Sequence, residues 1–324
     1  MDNLSERLAG LPAEKRKLFA QLLESQSRRR PAPTRGAPSA PLSYPNAAPA
    51  AGSHSGRGEP LPGSLTGAKA EYRRFYDAVS TQLDSTMFGQ FSFFLNYGYC
   101  PDHHPHHAAV EVPQHYINKN SVRLVLELIG DCPVTGARVL DVGCGRGGTV
   151  HVFTTMFDAR SVVGLDLSPQ AIAFCRQAHA DARVSFFEGD AEKLPFDDGV
   201  FDIVTNVESS HSYPDINAFY AEVYRVLSPG GFFLYTDLQP VQQLETNRQL
   251  LKRLGFALER DTDITPNVLL SCDEVARTRV QAFSEANDPT LMQNFLATPE
   301  SQVYEEMKSG RWQYRSFRLK KPSA

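Results

Sequence analysis

Three aspartates each follow a short run of apolar, largely β-branched residues. Asp141 ends RVLD, Asp166 ends VVGLD, and Asp190 follows VSFFEG. If these runs are parallel strands, their carboxyl ends meet at one edge of a sheet, where such sheets bind ligands. Asp141 could then bind an ammonium group, and Asp166 could accept hydrogen bonds from two ribose hydroxyls. Asp190, with the amide of Ala191, could bind an adenine ring, so a ligand that carries all three groups fits the pattern.

A glycine-rich loop follows the first aspartate, in the string VLDVGCGRGG. Gly143 and Gly145 allow a tight turn and let a ligand approach the backbone closely. Amides at the start of the next helix would add partial positive charge. The string also satisfies the Gly-x-Gly-x-x-Gly pattern of dinucleotide sites. A pyrophosphate is disfavoured, because the carboxylate of Asp141 would repel it.

A further set of candidate residues follows the fourth apolar run, in FDIVTNVESSHSYPD, and comprises Asn206, Glu208 and His211. A histidine with a pKa near neutrality can remove a proton from a hydroxyl group. We predict that His211 is a general base or orients a substrate, with an ordinary loop histidine as the alternative. Glu208 could orient His211, bind the substrate or contact the ligand of the aspartates, and these three roles stay open.

Strand-like and helix-like stretches alternate from Arg138 onward. This alternation predicts an α/β fold with βαβ crossovers and a mainly parallel sheet. The predicted strands are Arg138–Asp141, Val162–Asp166, Val184–Glu188, Phe201–Asn206 and Phe232–Asp237. The predicted helices between them are Gly148–Phe157, Pro169–Asp181 and Ile216–Leu227.

The ordered strings VLDVGCGRGG, VVGLDLS, GDAEKLPF and YRVLSPGGFFLYTD resemble the successive motifs of class I S-adenosylmethionine (SAM)-dependent methyltransferases. The resemblance covers roughly Lys69 to the C-terminus. It implies a Rossmann-like sheet of seven mostly parallel strands with helices on both faces. Ala257–Asp263 and Trp312–Lys320 are then expected to form an antiparallel terminal pair. The cofactor implied is SAM, and its product is S-adenosylhomocysteine.

The same resemblance implies a division of the cofactor among the motifs, from the methionine portion at Asp141 to the ribose at Asp166 and the adenine at Asp190. It also implies a lid over SAM, formed by the aromatic segment EYRRFYDAVSTQLDSTMFGQFSFFLNYGY. A lid excludes water from the reacting groups. The residues expected to bind SAM are Tyr76, Gly98, Asp141, Gly143, Gly145, Asp166, Leu167, Asp190, Ala191 and Asn206.

The strings NVESSHSYPD, FLNYGY and YTDLQP are most similar to natural-product O-methyltransferases related to the phthiotriolone methyltransferases of mycobacteria. This similarity implies a hydroxyl or enol acceptor on a polyketide or peptide–polyketide scaffold, either free or bound to a carrier protein. Methylation of nitrogen or carbon in a small molecule is the first alternative. A catalytically silent scaffold with a SAM fold is the second, and the intact set of acids and glycines disfavours it.

The first 68 residues differ in composition from the rest of the chain. The spacing of leucines in residues 1–24 predicts a short helical appendage, which is either a terminal helix or a docking segment for another protein. Residues 25–68 are rich in Pro, Ala and Gly and predict a flexible linker. The methyltransferase domain is expected over residues 69–324, with a helical lid at 69–130 and a Rossmann-like core at 131–324.

The overall charge and cysteine usage exclude several classes of protein. The chain carries a formal charge of −4, which disfavours nucleic acid as a partner. It has no apolar run of about 20 residues, and its first residues do not resemble a secretory signal. The 5 cysteines form no Cys-x-x-Cys pair, so a cytoplasmic protein with free thiols is expected. The oligomeric state stays open.

A histidine-rich stretch, CPDHHPHHAAVEVPQH, precedes the predicted sheet. Clustered histidines can bind a divalent metal. The prolines around them and the lack of helical or strand spacing favour a solvated loop, so no metal site is predicted. The histidines are His103, His104, His106, His107 and His115.

Overall fold

A single seven-stranded sheet organises the protein, whose computed structural model describes residues 67–85, 89, 92–101, 112, 118–282 and 293–323. The strands are β1 (Arg138–Val142), β2 (Ser161–Asp166), β3 (Val184–Glu188), β4 (Phe201–Val207), β5 (Leu227–Pro240), β6 (Ala257–Asp263) and β7 (Trp312–Lys320). Their order across the sheet is β3-β2-β1-β4-β5-β7-β6. Strands β1 to β5 run parallel to one another, and β7 lies antiparallel to both β5 and β6.

Helices connect most of the strands and cover both faces of the sheet. They are α1 (Gly67–Ser85), α2 (Lys119–Ile129), α3 (Gly148–Met156), α4 (Pro169–Ala178), α5 (Ile216–Val226), α6 (Val241–Arg253), α7 (Thr265–Ala282) and α8 (Gln302–Lys308). A short 3₁₀ turn, Ser210–Ser212, follows β4. In the described part of the chain, no helix combines the length and the apolar character that a bilayer crossing requires.

Alternate residues of the central strands supply two apolar cores, one on each face of the sheet. Val139 and Ile203 pack with residues of α2, α3 and α4. Leu140 and Val204, their neighbours along the same strands, pack with residues of α5 and α6. Side chains of a strand alternate between faces, so both faces of the central strands are buried, as in other parallel sheets.

Two helix caps set the direction of the chain where it leaves the carboxyl edge of the sheet. Ser168 Oγ accepts a hydrogen bond of 3.0 Å from the amide of Ala171, and Pro169 occupies the first turn of α4. Asp215 Oδ1 accepts a hydrogen bond of 3.0 Å from the amide of Ala218 at the start of α5. Both are favourable capping residues, so the turns after β2 and β4 have defined shapes.

The predicted sheet is confirmed, including the antiparallel pair, whose bounds match those expected. The largest difference is β5, which begins at Leu227 instead of Phe232. Leu227 pairs with Phe201 ahead of a β-bulge, and such a bulge interrupts the sequence pattern by which a strand is recognised. The helix predicted over Pro169–Asp181 ends at Ala178.

Several predictions fall outside the described residues. They concern the appendage at residues 1–24, most of the linker at 25–68 and the histidines of the stretch before the sheet. Gly67 and Ala68, which were expected to end the linker, are the first residues of α1. Within the expected lid span of 69–130, α2 contributes Val122 and Val125 to the core beneath the sheet.

Truncation of a leucine to alanine should destabilise the protein more in a central strand than at the edge of the sheet. Leu234 of β5 is 0% exposed, whereas Leu258 of edge strand β6 is 48% exposed. We expect Leu234→Ala to lower the free energy of unfolding by about 2–5 kcal/mol, because it removes buried contacts and leaves a cavity. Leu258→Ala, the matched control, should change it by less than about 0.5 kcal/mol. Urea unfolding measures both, and equal losses would contradict the assigned burial.

Candidate active site

A cavity of about 1090 Å³, including its open mouth, lies beyond the carboxyl ends of β1, β2, β3 and β4. Its walls come from the turns after these strands, from α1 and from residues 93–96. This is the position at which ligands bind in parallel sheets. Of the residues predicted as site residues from the sequence, those that line it are Tyr76, Gly143, Gly145, Asp166, Leu167, Asp190, Ala191 and Glu208.

The two glycines of the turn after β1, Gly143 and Gly145, have different surroundings. Gly143 has a φ of 71°, and a Cβ atom there would lie 2.0 Å from Ser209 Oγ and 2.6 Å from the Tyr213 hydroxyl. Gly145 has a φ of 51°, and a Cβ atom there would meet only Leu95, at 3.4 Å. The turn therefore packs tightly against the β4 loop at Gly143 and is open towards the cavity at Gly145.

Asp166 joins the glycine turn to the turn after β2. Its Oδ2 accepts a hydrogen bond of 2.8 Å from the amide of Gly145, and its Oδ1 accepts one of 2.8 Å from the amide of Ser168. Desolvation raises the pKa of this carboxyl group, although the two amides act in the opposite direction. The carboxylate thus holds two loops at the cavity wall in an environment that disfavours its charge.

Asp141 lies behind the glycine turn and does not line the cavity. It is buried, and its Oδ1 accepts a hydrogen bond of 2.7 Å from Thr205 Oγ1. Burial raises its pKa to about 7, and the negative charge of Asp166 adds to this rise. Two neighbouring carboxyl groups with raised pKa values would be stabilised in their charged forms by a cation in the cavity.

A lysine that the sequence analysis did not select meets the acids after β3. Lys69 of α1 places its Nζ 2.6 Å from Asp190 Oδ2 and 2.5 Å from Glu192 Oε2. Burial lowers the pKa of Lys69, but the two carboxylates outweigh this and raise it. The start of α1 is therefore joined by ion pairs to the loop that was expected to bind an adenine ring.

Helix α1 runs across the ends of several strands and forms one wall of the cavity. Beyond Lys69, Asp77 Oδ1 accepts a hydrogen bond of 2.5 Å from Ser168 Oγ in the turn after β2. The Tyr76 hydroxyl lies 3.3 Å from Ser212 Oγ in the turn after β4. The helix is thus placed as the resemblance implied for a lid.

Arg146 of the glycine-rich loop joins the same helix to the turn after β1. It is fully buried, and all five of its N–H donors have acceptors. Nε donates to the carbonyl of Ser92, Nη1 to the carbonyl and hydroxyl of Ser80, and Nη2 to the carbonyl of Gly89 and to Asp84. The sequence analysis treated this loop only as a ligand-binding turn.

Two residues predicted to contact the cofactor lie away from the cavity surface. Gly98, with a φ of 81°, is packed so closely that a Cβ atom would lie 2.6 Å from Ser271 Oγ and 2.9 Å from Asn120 Cβ. Residues 93–96 line the cavity in place of the expected Gly98. Asn206 is buried and donates hydrogen bonds to the carbonyl of Val142 and the hydroxyl of Tyr213, so it supports the wall from behind.

His211 forms a dyad with Asp237, a buried carboxylate of β5. His211 Nδ1 lies 2.8 Å from Asp237 Oδ1, and the backbone amide of His211 donates to Asp237 Oδ2 over 3.0 Å. An ionised carboxylate only accepts hydrogen bonds, so Nδ1 carries a proton and Nε2 keeps a free lone pair in the neutral ring. The His211 side chain is 39% exposed, whereas that of Asp237 is 0% exposed.

The dyad shifts both acid–base equilibria towards the charged pair. Burial opposes protonation of His211, but the charge of Asp237 and its hydrogen bond outweigh burial and raise the pKa of His211. Burial likewise opposes ionisation of Asp237, but His211 and the other hydrogen-bond donors lower its pKa. His211 is therefore a stronger base than an isolated imidazole.

Glu208 occupies the cavity wall beside the dyad. Its φ of 52° places a non-glycine residue in the left-handed region. Its Oε2 accepts hydrogen bonds from the amide of Tyr97, at 2.8 Å, and from the hydroxyl of Tyr314, at 2.6 Å. Burial raises the pKa of Glu208 to about 7. Of its three predicted roles, orientation of the His211 ring belongs in this structure to Asp237.

Asp237 was not predicted as a site residue from the sequence, although one pattern indicates it. The predicted fifth strand ended at Asp237, so the rule that selected the other strand-end acids applied to it equally. Lys69 and Arg146 gave no comparable signal. Their roles depend on how α1 packs against the sheet, which spacing along the chain does not encode.

Two comparisons of sequence bear on this geometry. Residues 140–235 match the family described as a methyltransferase domain. The chain is 35% identical to a fatty-acid O-methyltransferase of Mycolicibacterium smegmatis over 235 residues, which cover 71% of this chain and 84% of that protein. It is 41% identical over 140 residues to a probable phthiotriol/phenolphthiotriol dimycocerosates methyltransferase 2 of Mycobacterium ulcerans, covering 43% of this chain and 54% of that protein.

Solved structures share the fold at lower sequence identity. The [4+2]-cyclase SpnF superposes with a TM-score of 0.61 at 21% identity, covering 82% of this chain and 99% of that chain. A geranyl diphosphate C-methyltransferase from Streptomyces coelicolor, determined with S-adenosyl-L-homocysteine, superposes with a TM-score of 0.59 at 20% identity. That match covers 80% of this chain and 100% of that chain. At these identities the likeness concerns the fold alone.

Two glycine substitutions should distinguish the loss of stability caused by backbone strain alone from the loss caused by disruption of the glycine turn. Gly136 and Gly143 have φ values of 74° and 71°, but a Cβ atom at Gly136 would meet nothing within 4 Å. Gly136→Ala should lower the free energy of unfolding by about 1–2 kcal/mol through strain alone. Gly143→Ala should lower it further, because Ser209 and Tyr213 must move.

Urea unfolding measures these losses, and calorimetry with S-adenosylhomocysteine reports on the cavity. We expect binding to weaken only in Gly143→Ala, with Gly136→Ala as the matched control. The same stability and the same binding in both variants would contradict the tight packing at Gly143.

Proposed function

Since the chain belongs to the class I SAM-dependent methyltransferases, we propose that it is an O-methyltransferase that acts on a hydroxyl or enol of a polyketide or peptide–polyketide natural product. The observation that carries the proposal is the dyad of His211 and buried Asp237. Neither residue lines the cavity, but Ser212, the next residue after His211, does. Relatives named for fatty-acid and phthiotriol substrates support an oxygen acceptor on an extended apolar molecule. The acceptor is free or bound to a carrier protein.

The charges around the cavity fit the cofactor of this family. When bound, SAM supplies a methyl group made electrophilic by a positively charged sulfur. Asp141 and Asp166 have pKa values raised by desolvation, and the negative charge of Asp166 adds to the rise at Asp141. A cationic ligand relieves this repulsion. We propose that the glycine turn holds the amino-acid end, with the charge of Asp141 acting from behind it, Asp166 with Leu167 the ribose, and Asp190 with Ala191 the adenine.

His211 is suited to remove the proton of a hydroxyl acceptor. Its Nδ1 donates to Asp237, so the lone pair of Nε2 is available on a ring that is partly exposed. A hydroxyl is a weak nucleophile unless its proton is taken as it attacks. The proton would pass from the acceptor oxygen to Nε2, and the resulting imidazolium would be stabilised by the Asp237 carboxylate.

We propose that Glu208 positions the part of the cavity wall that lies beside the dyad. Its carboxyl group accepts from Tyr97, which follows residues 93–96 of the cavity wall, and from Tyr314 of β7. Asn206 supports Tyr213 in the same wall. Both residues would then affect the placement of the acceptor more than the chemistry at its oxygen.

Methylation of an amine or a carbon is the competing proposal. An amine acceptor already has a lone pair and is methylated by positioning alone, so it does not require a base with a buried partner. The buried carboxylate behind His211 costs desolvation energy, and a base provides a reason for its presence. This observation favours the oxygen acceptor over an amine.

Loss of the imidazole should separate chemistry from cofactor binding. His211→Ala should lower turnover by about 10²–10⁴-fold, since general bases contribute this much, and should leave the dissociation constant of S-adenosylhomocysteine unchanged. Formation of S-adenosylhomocysteine is measured with a panel of long-chain acids, phenols and amines. Turnover within twofold of wild type on the preferred hydroxyl acceptor would contradict the base role, and preference for an amine would favour the competing proposal.

Removal of the Asp237 charge should move the pH profile. Because Asp237 raises the pKa of His211, Asp237→Asn should shift the acid limb of kcat to lower pH. It should also lower kcat about a hundredfold or more, since an amide can force the wrong tautomer on the ring.

The matched control is Asp202→Asn. Asp202 accepts hydrogen bonds from the backbone and guanidinium of Arg138 at the opposite end of β4, so it is a structural carboxylate away from the cavity. The Asp202→Asn variant should keep the acid limb of kcat at the same pH as in the wild type. An identical shift in Asp237→Asn and Asp202→Asn would show that the acid limb of kcat does not reflect the titration of His211 beside Asp237.

A further inference from the structure

The Asp237 carboxylate is saturated with donors, although it is fully buried. Oδ1 accepts from His211 Nδ1 and from the amide of Leu238, at 2.8 Å each. Oδ2 accepts from the amide of His211, at 3.0 Å, and from Ser210 Oγ, at 2.6 Å. Ser210 is the one donor among these four that belongs neither to His211 nor to the strand itself.

The direction of the hydrogen bonds behind Ser210 follows from the number of protons available. The Ser210 hydroxyl donates its single proton to Asp237. In its 2.7 Å contact with the Tyr235 hydroxyl, Ser210 Oγ must therefore accept the hydrogen bond. The Tyr235 oxygen accepts from Gln239 Nε2, at 2.8 Å, and from the Tyr220 hydroxyl, at 3.2 Å. The proton of Tyr235 therefore points to Ser210.

The chain extends one step further, to helix α6. Gln239 Oε1 accepts a hydrogen bond of 2.9 Å from Asn247 Nδ2, which orients the Gln239 amide so that its Nε2 faces Tyr235. Every bond from Asn247 to Asp237 thus has its donor on the far side and its acceptor on the Asp237 side. Such chains strengthen each successive bond by polarisation.

We infer that Ser210 and Tyr235 are positioning residues that fix the Asp237 carboxylate and disperse its charge, and thereby limit how strongly His211 holds a proton. This inference rests on the proposed base role of His211. A general base must take a proton and also give it up, so a partner that bound the imidazolium too tightly would leave the ring protonated. The donors behind Asp237 weaken its pull on His211, and they also prevent its side chain from turning away.

The charged and titratable groups around the dyad are few. Asp237 of β5 and Glu208 after β4 both act on His211. The tyrosines that interact with Asp237 have pKa values raised by burial, so they stay neutral donors. They are Tyr76 of α1, Tyr213 after β4, Tyr220 of α5, Tyr235 of β5 and Tyr314 of β7.

The test compares Tyr235→Phe and Ser210→Ala with Tyr220→Phe. In the first two variants the donors to Asp237 are weakened or lost, so its charge acts more strongly on His211. The acid limb of kcat should move upward by about half a pH unit, and kcat at neutral pH should fall by up to about tenfold. Binding of S-adenosylhomocysteine should stay at the wild-type level.

Tyr220→Phe removes a buried hydroxyl from the same cluster and leaves Gln239 to donate to Tyr235. It should lower the melting temperature to a similar degree while the acid limb stays in place. If Tyr235→Phe does not fold, Ser210→Ala carries the test, since it is the smaller change. A limb that is unmoved in the folded variants, or moved equally by Tyr220→Phe, overturns the inference.

The proposed function fails by a different result. If His211→Ala keeps wild-type turnover, the dyad is not the base. If His211→Ala is inactive and Asp237→Asn shifts the limb downward, while Ser210→Ala and Tyr235→Phe leave it in place, the base role stands and only the chain behind it is excluded.

Discussion

Parallel strands that end at one edge of a sheet bring their last side chains together, and in this protein those side chains are carboxylates. Asp141, Asp166, Asp190 and Asp237 lie near the carboxyl ends of four different strands, either within the last residues of the strand or just after it. Like charges in a poorly solvated place repel one another. Each carboxylate therefore accepts hydrogen bonds from outside its own strand: from a threonine hydroxyl, from loop amides, from a lysine, or from a histidine and a serine. The rest of the site follows from how this negative charge is balanced.

The balance differs between the two sides of the cavity, and the difference separates binding from chemistry. Towards β1 and β2 the acids have raised pKa values and few donors, which suits a cationic ligand. Towards β5 the carboxylate of Asp237 has four hydrogen-bond donors and a lowered pKa, so its charged form is favoured and acts on His211. Helix α1 links the two sides, because its side chains reach the turns after β1, β2, β3 and β4. Movement of this one helix would alter cofactor contacts and acceptor access together.

Much of the sheet could be predicted from the sequence, because β-branched runs, glycine turns and strand-end acids are local patterns. The strand-end positions of Asp141, Asp166 and Asp190 could be predicted in this way, and so could the position of His211 after β4. Its partner was not predicted. The strand-end rule could have selected Asp237 as a candidate site residue, but the pairing of β4 with β5 that brings it to the His211 ring is set by the sheet order. Gly98 was expected to contact the cofactor, but its left-handed turn packs between α2 and α7. No sequence pattern near Gly98 indicates that these two helices pack against it.

The central claim is that a buried, fully hydrogen-bonded Asp237 makes His211 a base with a free Nε2. Nitrogen chemical shifts of ¹⁵N-histidine-labelled protein, followed against pH and assigned with His211→Ala, measure this directly. The account predicts that the neutral His211 ring carries its proton on Nδ1 and titrates with a pKa above that of an ordinary histidine. A proton on Nε2 in the neutral ring, or a pKa below the ordinary value, would contradict it.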